Sequence, residues 1–262
     1  MFYITGSSGF IGKHLVERLQ LDNYVCVPHE EIINTDWSKA DTVFFLSSYG
    51  NMASHTDEQQ IIRANVIDLC FVLATVDWSK IKSFVFISTS SVKLKRQTMY
   101  SRTKKAAEEI LLAYMEKYDA PISIVRPLSV TGVGEQKEHL IPKLIDSCLN
   151  GTEMDFVAEP THDWIDVEDL VDGILNLSSN KAKGIFELGR GESLTNAQVL
   201  DMVELITEKN ANIRVVQSMR PYDNERWVCE NFKARGWGWL PNKTLLLSIT
   251  EMVDDARKHQ AD

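Results

Sequence analysis

Tyr100 and Lys104 stand four residues apart in the segment Tyr100-Ser101-Arg102-Thr103-Lys104, so on a helix they share one face. A phenol ordinarily ionises near pH ~10. An ammonium group beside it favours the phenolate and lowers that value. A tyrosine tuned in this way exchanges a proton with an alcohol or sugar hydroxyl. The spacing also fits a solvated basic helix start, because residues 93–105 hold six lysines and arginines and no acid. Two further features favour chemistry. Thr89 lies in the turn Ser88-Thr89-Ser90-Ser91, just past the apolar run Phe84-Val85-Phe86-Ile87. A hydroxyl there sits at the carboxyl end of a strand, where open α/β sheets bind ligands. The second feature is Gly6-Ser7-Ser8-Gly9-Phe10-Ile11-Gly12, between an apolar strand and an amphipathic helix. Glycines at this spacing let the backbone approach a pyrophosphate, and the amides of a helix start face the anion. The alternative is a plain glycine-rich turn, but the strand-turn-helix context is the one that dinucleotide binding requires.

The elements that must position these residues follow from the apolar pattern. Strands are expected at 2–5, 24–27, 42–46, 83–88 and 122–125, and helices at 11–21, 57–76 and 98–118. Apolar strands alternating with helices predict a parallel sheet covered on both faces, with right-handed crossovers. Beyond Arg126-Pro127 the pattern is less regular. Helices are expected at 142–149, 168–177, 195–207 (with Thr195 as N-cap) and 243–258, and strands at 164–167, 185–188 and 213–217. The fold class is therefore α/β, a Rossmann-like doubly wound parallel sheet with a smaller carboxyl-terminal α/β lobe. The expected division assigns 1–128 plus 162–188 to the dinucleotide-binding domain and 129–161 plus 189–262 to a substrate lobe.

Composition narrows the function. The 262 residues carry 28 Lys and Arg against 37 Asp and Glu, a net charge of −9, which disfavours general binding to nucleic acid or anionic membrane. No apolar stretch is long enough for a transmembrane helix, and the amino terminus does not read as a signal peptide. The four cysteines, at 26, 70, 148 and 229, show no CxxC spacing and are expected to be buried, reduced thiols of a cytoplasmic protein. The six histidines show no ligand spacing, so no metal site is expected. An acid that binds the adenosine ribose of NAD is expected at the end of the second strand, where the nearest positions read Pro28-His29-Glu30-Glu31, with Glu30 one residue beyond the expected place. His29 falls near that position, and Lys13 offers a charge for a 2′-phosphate, so NAD and NADP both remain open, with a lean to NAD. Asp36 either accepts from the adenine amino group or caps a turn. Residues 47–51 line the cofactor pocket or form a plain loop.

In combination, Gly6, Gly9, Gly12, Thr89, Tyr100 and Lys104 resemble an extended short-chain dehydrogenase/reductase, and more narrowly the NAD-dependent epimerase/dehydratase group that acts on nucleotide sugars. Asn65 in Arg63-Ala64-Asn65-Val66, the segments 124–132, 162–170 and 184–192, Arg220-Pro221-Tyr222-Asp223, and Gly236-Trp237-Gly238-Trp239-Leu240-Pro241 follow that family's order over nearly the whole chain. The resemblance implies Tyr100 as acid/base, Lys104 as holder of the nicotinamide ribose, and Thr89 as a partner of the sugar oxygen. It implies cofactor contacts from Gly6, Ser8, Gly9, Phe10, Ile11, Gly12, His29, Asp36, Leu46, Ser47, Ser48, Asn65, Tyr100, Lys104 and Pro127. It implies a nucleotide-diphosphate sugar as substrate, bound by Ser90, Ser91, Ser129, Arg220 and Tyr222. It also implies a homodimer through the helices at 57–76 and 98–118. Departures are His162 for the usual arginine, Ser129 for an asparagine, Val92-Lys93-Leu94 where a substrate-side tyrosine is usual, and a shortened 29–41 region. The Asp-Glu pair that follows the threonine in sugar dehydratases is Ser90-Ser91, so dehydration is not expected. The leading expectation is a nucleotide-sugar epimerase. A ketone reductase of the same family, or a non-catalytic dinucleotide sensor or scaffold, is the alternative.

Overall fold

The computed structural model describes residues 1–19, 23–52, 54–218 and 228–261. The chain forms two compact units: residues 1–127, 171–188 and 232–239, and residues 128–170, 189–231 and 240–262.

In the first unit, β1 (Phe2–Thr5), β2 (Tyr24–Val27), β3 (Thr42–Phe45), β4 (Ser83–Ile87), β5 (Ile122–Pro127) and a last strand, Gly184–Leu188, make one parallel sheet. The order is the last strand, then β5, β4, β3, β1 and β2. Every residue of β3 and β4 is buried, as their unbroken apolar sequences require, whereas the edge strand β2 is largely open. Helix α1 (Phe10–Leu19) follows β1. The chain leaves β1 for β2 on one side and reaches β3 on the other, so the direction of winding reverses at β1. Ligands of open α/β sheets bind at such a reversal, beyond the carboxyl ends of the strands.

The expected helix at 57–76 is three segments: α2 (Glu58–Ile62), a π turn (Arg63–Ile67) and α3 (Asp68–Thr75). Asp57 caps it by accepting from the amides of Gln59 and Gln60. Helix α4 (Met99–Tyr118) opens with a reciprocal Thr98–Ser101 capping box and closes at Asp119 in the left-handed region. One face of the sheet packs Tyr3, Val43, Phe45, Phe84, Phe86 and Ile124 against Leu69, Val72, Ala107 and Leu111 of these helices. The β2–β3 crossover has no α-helix, only 3₁₀ turns at His29–Glu31 and Trp37–Lys39. Ile32 and Trp37 anchor it in the core, and the Trp37 indole donates to the Ile32 carbonyl at 2.8 Å.

In the second unit, β6 (Ser129–Thr131) precedes α5 (Leu140–Asn150), β7 (Met154–Phe156), β8 (Thr161–His162) and β9 (Trp164–Asp166). Helix α6 (Val167–Ser179) leads to the last strand of the first sheet, now β10 (Gly184–Leu188). Then follow β11 (Leu194–Thr195), α7 (Asn196–Thr207), β12 (Ile213–Val215), α8 (Phe232–Gly236) and α9 (Leu245–Ala261). The small strands pair as β6 with β9, β7 with β12 and β8 with β11. Ile141, Leu144, Val199, Val203, Ile249 and Val253 form the core between α5, α7 and α9. Buried Asp163 accepts from the amides of Arg190, Gly191 and Cys229, drawing three distant segments together. Residues 162–170 thus belong with the second unit, because β9 pairs with β6. Residues 232–239 belong with the first, where Trp239 fills the space beside Gly173.

The cysteine expectation needs correction. All four are free thiols, but only Cys148 and Cys229 are buried; Cys26 is exposed on the edge strand and Cys70 is half-buried. Trp164 and Trp239 pack in cores, whereas Trp237 is exposed. Among the described residues no helix is long and apolar enough to cross a membrane, and no cluster of His, Cys, Asp or Glu is arranged to hold a metal ion.

Candidate active site

The glycine turn closes between β1 and α1 with the Gly9 amide donating to the Gly6 carbonyl at 3.1 Å. Gly6 has φ of 68°, and a Cβ there would lie 2.8 Å from the Leu46 carbonyl carbon and the Ser47 amide. A Cβ on Gly12 would lie 2.7 Å from the Ser7 Cα and nearer still to the Gly6 carbonyl oxygen. Side chains are thus excluded at Gly6 and Gly12, on either side of the start of α1, and the first amides of any helix lack intrahelical acceptors. Phe10 and Ile11 are half-buried beside this start, and Ser8 is exposed. The arrangement fits a dinucleotide pyrophosphate.

Beside it runs the loop after β3. Buried Thr5 accepts through its hydroxyl from the amides of Leu46 (3.2 Å) and Ser47 (3.1 Å), which fixes that loop to β1. Asn65 holds the same loop from the π turn. Its amide oxygen accepts from the Tyr49 amide at 3.1 Å, and its amide nitrogen donates to the Tyr49 carbonyl (2.8 Å) and the Thr103 hydroxyl (3.0 Å). Asn65 is fully buried, so it acts through Tyr49 and Thr103 and presents no open face to a cofactor. The π turn is the local irregularity that carries it, and such turns recur at functional sites.

Thr89 follows β4 and caps a 3₁₀ turn, Ser90–Lys93, accepting from the Ser91 amide, while its hydroxyl and that of Ser91 stand 3.0 Å apart. Ser90 is buried and Ser91 half-buried. Tyr100 is half-buried on the first turn of α4. Lys104, one turn on, is 1% exposed. Its ammonium donates to the Ile87 carbonyl at 2.6 Å and lies 4.4 Å from the Phe86 ring centroid.

The electrostatics correct one expectation. Lys104 does not lower the phenol here. Burial pushes Tyr100 up to about 12, and a hydrogen bond from Ser48 offsets only part of that. Burial pulls Lys104 down to about 7, opposed by the negative charge of Glu108. Sharing a helix face does not fix where an ammonium points, and this one points to the end of β4.

Sequence reasoning missed the support beneath the pair. Buried Glu108 lies one turn beyond Lys104 and accepts from Ser88 Oγ (2.5 Å), Arg126 Nε (2.8 Å) and Arg126 Nη2 (2.5 Å). This cluster ties α4 to the ends of β4 and β5 under Thr89 and Lys104. The i to i+4 step from Lys104 to Glu108 was the available signal.

The remaining candidates divide by position. His29 sits in the turn past β2, its Nδ1 3.1 Å from Asp68 Oδ2. Asp36 caps its 3₁₀ turn, accepting from Ser38, and pairs with Lys39 at 3.1 Å, so the capping role is the one the structure displays. Pro127 is buried at the end of β5. In the second unit, Ser129 Oγ lies 3.3 Å from His162 Nδ1. Arg220 and Tyr222 lie outside the described residues.

The reversal at β1, the glycine cradle, and Thr89, Tyr100 and Lys104 all lie on one unit, in the arrangement of a dinucleotide-binding sheet. The NAD dependent epimerase/dehydratase family matches residues 2–189, and the chain belongs to that family. It is 23% identical to the dTDP-D-glucose 4,6-dehydratase of Bos taurus over 98% of this chain and 88% of the relative. MoeE5, solved with UDP-glucose and NAD, superposes with a TM-score of 0.88 at 22% identity, covering 99% of both chains. The UDP-glucose 4-epimerase of Thermotoga maritima, solved with UDP-glucose, superposes with a TM-score of 0.86 at 20% identity, also covering 99% of both.

Proposed function

We propose that this protein is an NAD-dependent nucleotide-sugar epimerase. The observation that carries the reading is the coexistence on one unit of the glycine cradle and the Thr89, Tyr100 and Lys104 set, with Ser90 and Ser91 where a dehydratase would carry an acid and a base. Bound NAD supplies a hydride acceptor and, once reduced, a donor. Tyr100 takes the proton from the sugar hydroxyl as that carbon is oxidised, and returns one to the oxygen when the carbon is reduced from its other face. Thr89 orients that oxygen, with Ser90 and Ser91 beside it. Lys104 holds the nicotinamide ribose. Ser129, Arg220 and Tyr222 bind the sugar and the diphosphate, for which a bidentate arginine is suited. Water loss from a nucleotide hexose, seen as a mass decrease in the product, would overturn the exclusion of dehydratase chemistry.

Two rival readings differ in what they need. A ketone reductase uses the same residues but must release its cofactor each cycle. A sensor has no use for a tyrosine and lysine at catalytic spacing, and this sequence retains both Tyr100 and Lys104. The test is Tyr100→Phe. Retained NAD binding with turnover lost supports the enzyme, and unchanged turnover overturns the role given to Tyr100.

The proposal includes a homodimer in the cytoplasm. Ile62, Ile67 (54% exposed) and Tyr118 leave apolar surface open on the helices at 57–76 and 98–118. Pairing those helices with a second copy would cover it. Light scattering at micromolar concentration should give twice the chain mass, and a monomeric mass would refute it.

A further inference from the structure

The turn that carries Thr89, Ser90 and Ser91 has little backbone support of its own. It leaves the sheet after Ser88, whose amide donates to the Val125 carbonyl at 2.7 Å. Within it the Ser91 amide reaches the Thr89 hydroxyl at 3.2 Å, the Val92 amide the Thr89 carbonyl at 3.4 Å, and the Leu94 amide the Ser91 carbonyl at 3.2 Å. These lie at or beyond the long end for N–H···O bonds. A threonine that orients a reacting oxygen needs firmer placement, because a displacement of about 1 Å can cost about 100-fold in rate.

Side chains supply that placement at both ends. At the near end, Ser88 Oγ donates to Glu108 at 2.5 Å. At the far end, Lys93 Nζ donates to Glu187 Oε1 at 2.7 Å, which ties the turn to the edge strand β10. Glu187 is paired in register with Arg126 of β5, and Arg126 Nε donates to Glu108 at 2.8 Å. The charges therefore alternate and cancel: Glu108 on α4, Arg126 on β5, Glu187 on β10 and Lys93 in the turn. All four belong to one unit. The Lys93 side chain is 46% exposed and that of Glu187 11%. An ion pair this open adds little to stability. A charge-assisted bond of this length still fixes where its partners stand. Stability and placement are thus separable at this pair.

We propose that Lys93 and Glu187 are positioning residues, whose ion pair holds the far end of the turn and so sets where Thr89, Ser90 and Ser91 meet the sugar. They act through the turn and touch neither substrate nor cofactor. The inference rests on the role given to Thr89 in the epimerase reading.

The test uses the full chain as wild type, Lys93→Met, Lys93→Arg and Glu187→Gln. Amide hydrogen exchange over residues 89–94 reads the turn, thermal denaturation reads stability, and turnover of UDP-glucose, dTDP-glucose and CDP-glucose with NAD reads function. Lys93→Met and Glu187→Gln should each speed exchange in the turn at least about fivefold, while Tm moves by less than about 4 °C. In both, kcat should fall about tenfold with KM within about twofold of wild type. Lys93→Arg keeps the charge and should keep exchange and kcat near wild type. A pair with a structural role alone would lower Tm and leave kcat unchanged. Unchanged exchange in both variants overturns the inference, as does faster exchange with kcat unchanged. A loss of kcat in Lys93→Met that Glu187→Gln does not share also overturns it, since Lys93 would then act on the substrate itself. Faster exchange in both variants, with a wild type inert on all three sugars, would uphold the hold of the pair on the turn and overturn the epimerase reading.

Discussion

Replacing Glu108 by glutamine removes the charge at the centre of the cluster that supports Lys104. Its carboxylate accepts three hydrogen bonds, from Ser88 and from two nitrogens of Arg126, and all are 2.8 Å or shorter. The glutamine keeps the size but leaves Arg126 without its counter-charge and places an amide donor against a donor. Breaking one side of a buried ion pair costs about 3–5 kcal/mol. The Arg126 side chain retains 18% exposure, so water screens part of the loss and the lower end, about 3 kcal/mol, is the expected cost. For a chain of this size that is a fall in Tm of about 6–12 °C. Glu108→Leu with Arg126→Met should recover most of it, because neither charge is then left unpaired. Thermal and urea denaturation of the singles and the double form the cycle that isolates the coupling. A loss below about 1 kcal/mol for Glu108→Gln, as for a surface ion pair, would refute the reasoning.

Other outcomes follow from the same geometry. Gly12→Ala should abolish dinucleotide binding by titration, since its Cβ would crowd the Ser7 Cα and the Gly6 carbonyl oxygen. Lys104 falls from its ordinary 10.5 to about 7 in the fold, so between those values the unfolded chain holds a proton that the native chain refuses. Stability should therefore rise with pH across that window in wild type relative to Lys104→Met, and parallel profiles in urea would contradict this. Ser48→Ala removes the hydrogen bond that lowers the Tyr100 phenol, so the pH–rate profile for hydroxyl oxidation should move to higher pH. A shift to lower pH, or none, would show that Ser48 does not act on Tyr100.

What the sequence conveyed depended on whether the signal was local. β3 and β4 were plain because both of their faces are buried, and α4 because its cap and apolar stripe lie within twenty residues. The cradle was plain because its glycines, strand and helix are contiguous. The 28–41 crossover was not, since two anchors, Ile32 and Trp37, hold it without any period. The two-residue strands β8 and β11 exist only because they meet each other. At the site, the types and spacing of Thr89, Tyr100 and Lys104 could be read directly. The Lys104 direction, the Glu108–Arg126 support and the Asp68 contact to His29 could not, because each joins elements distant in the chain.

The most direct test of the central claim is to denature the purified protein and identify the released nucleotide by liquid chromatography and mass spectrometry. An epimerase returns its hydride to the same substrate and can keep one cofactor through every turnover. The account predicts stoichiometric NAD in the released fraction, with any co-purified ligand being a nucleotide sugar. Protein that releases nothing and takes up NADPH on titration would contradict it, and would point to a reductase whose cofactor leaves after each cycle.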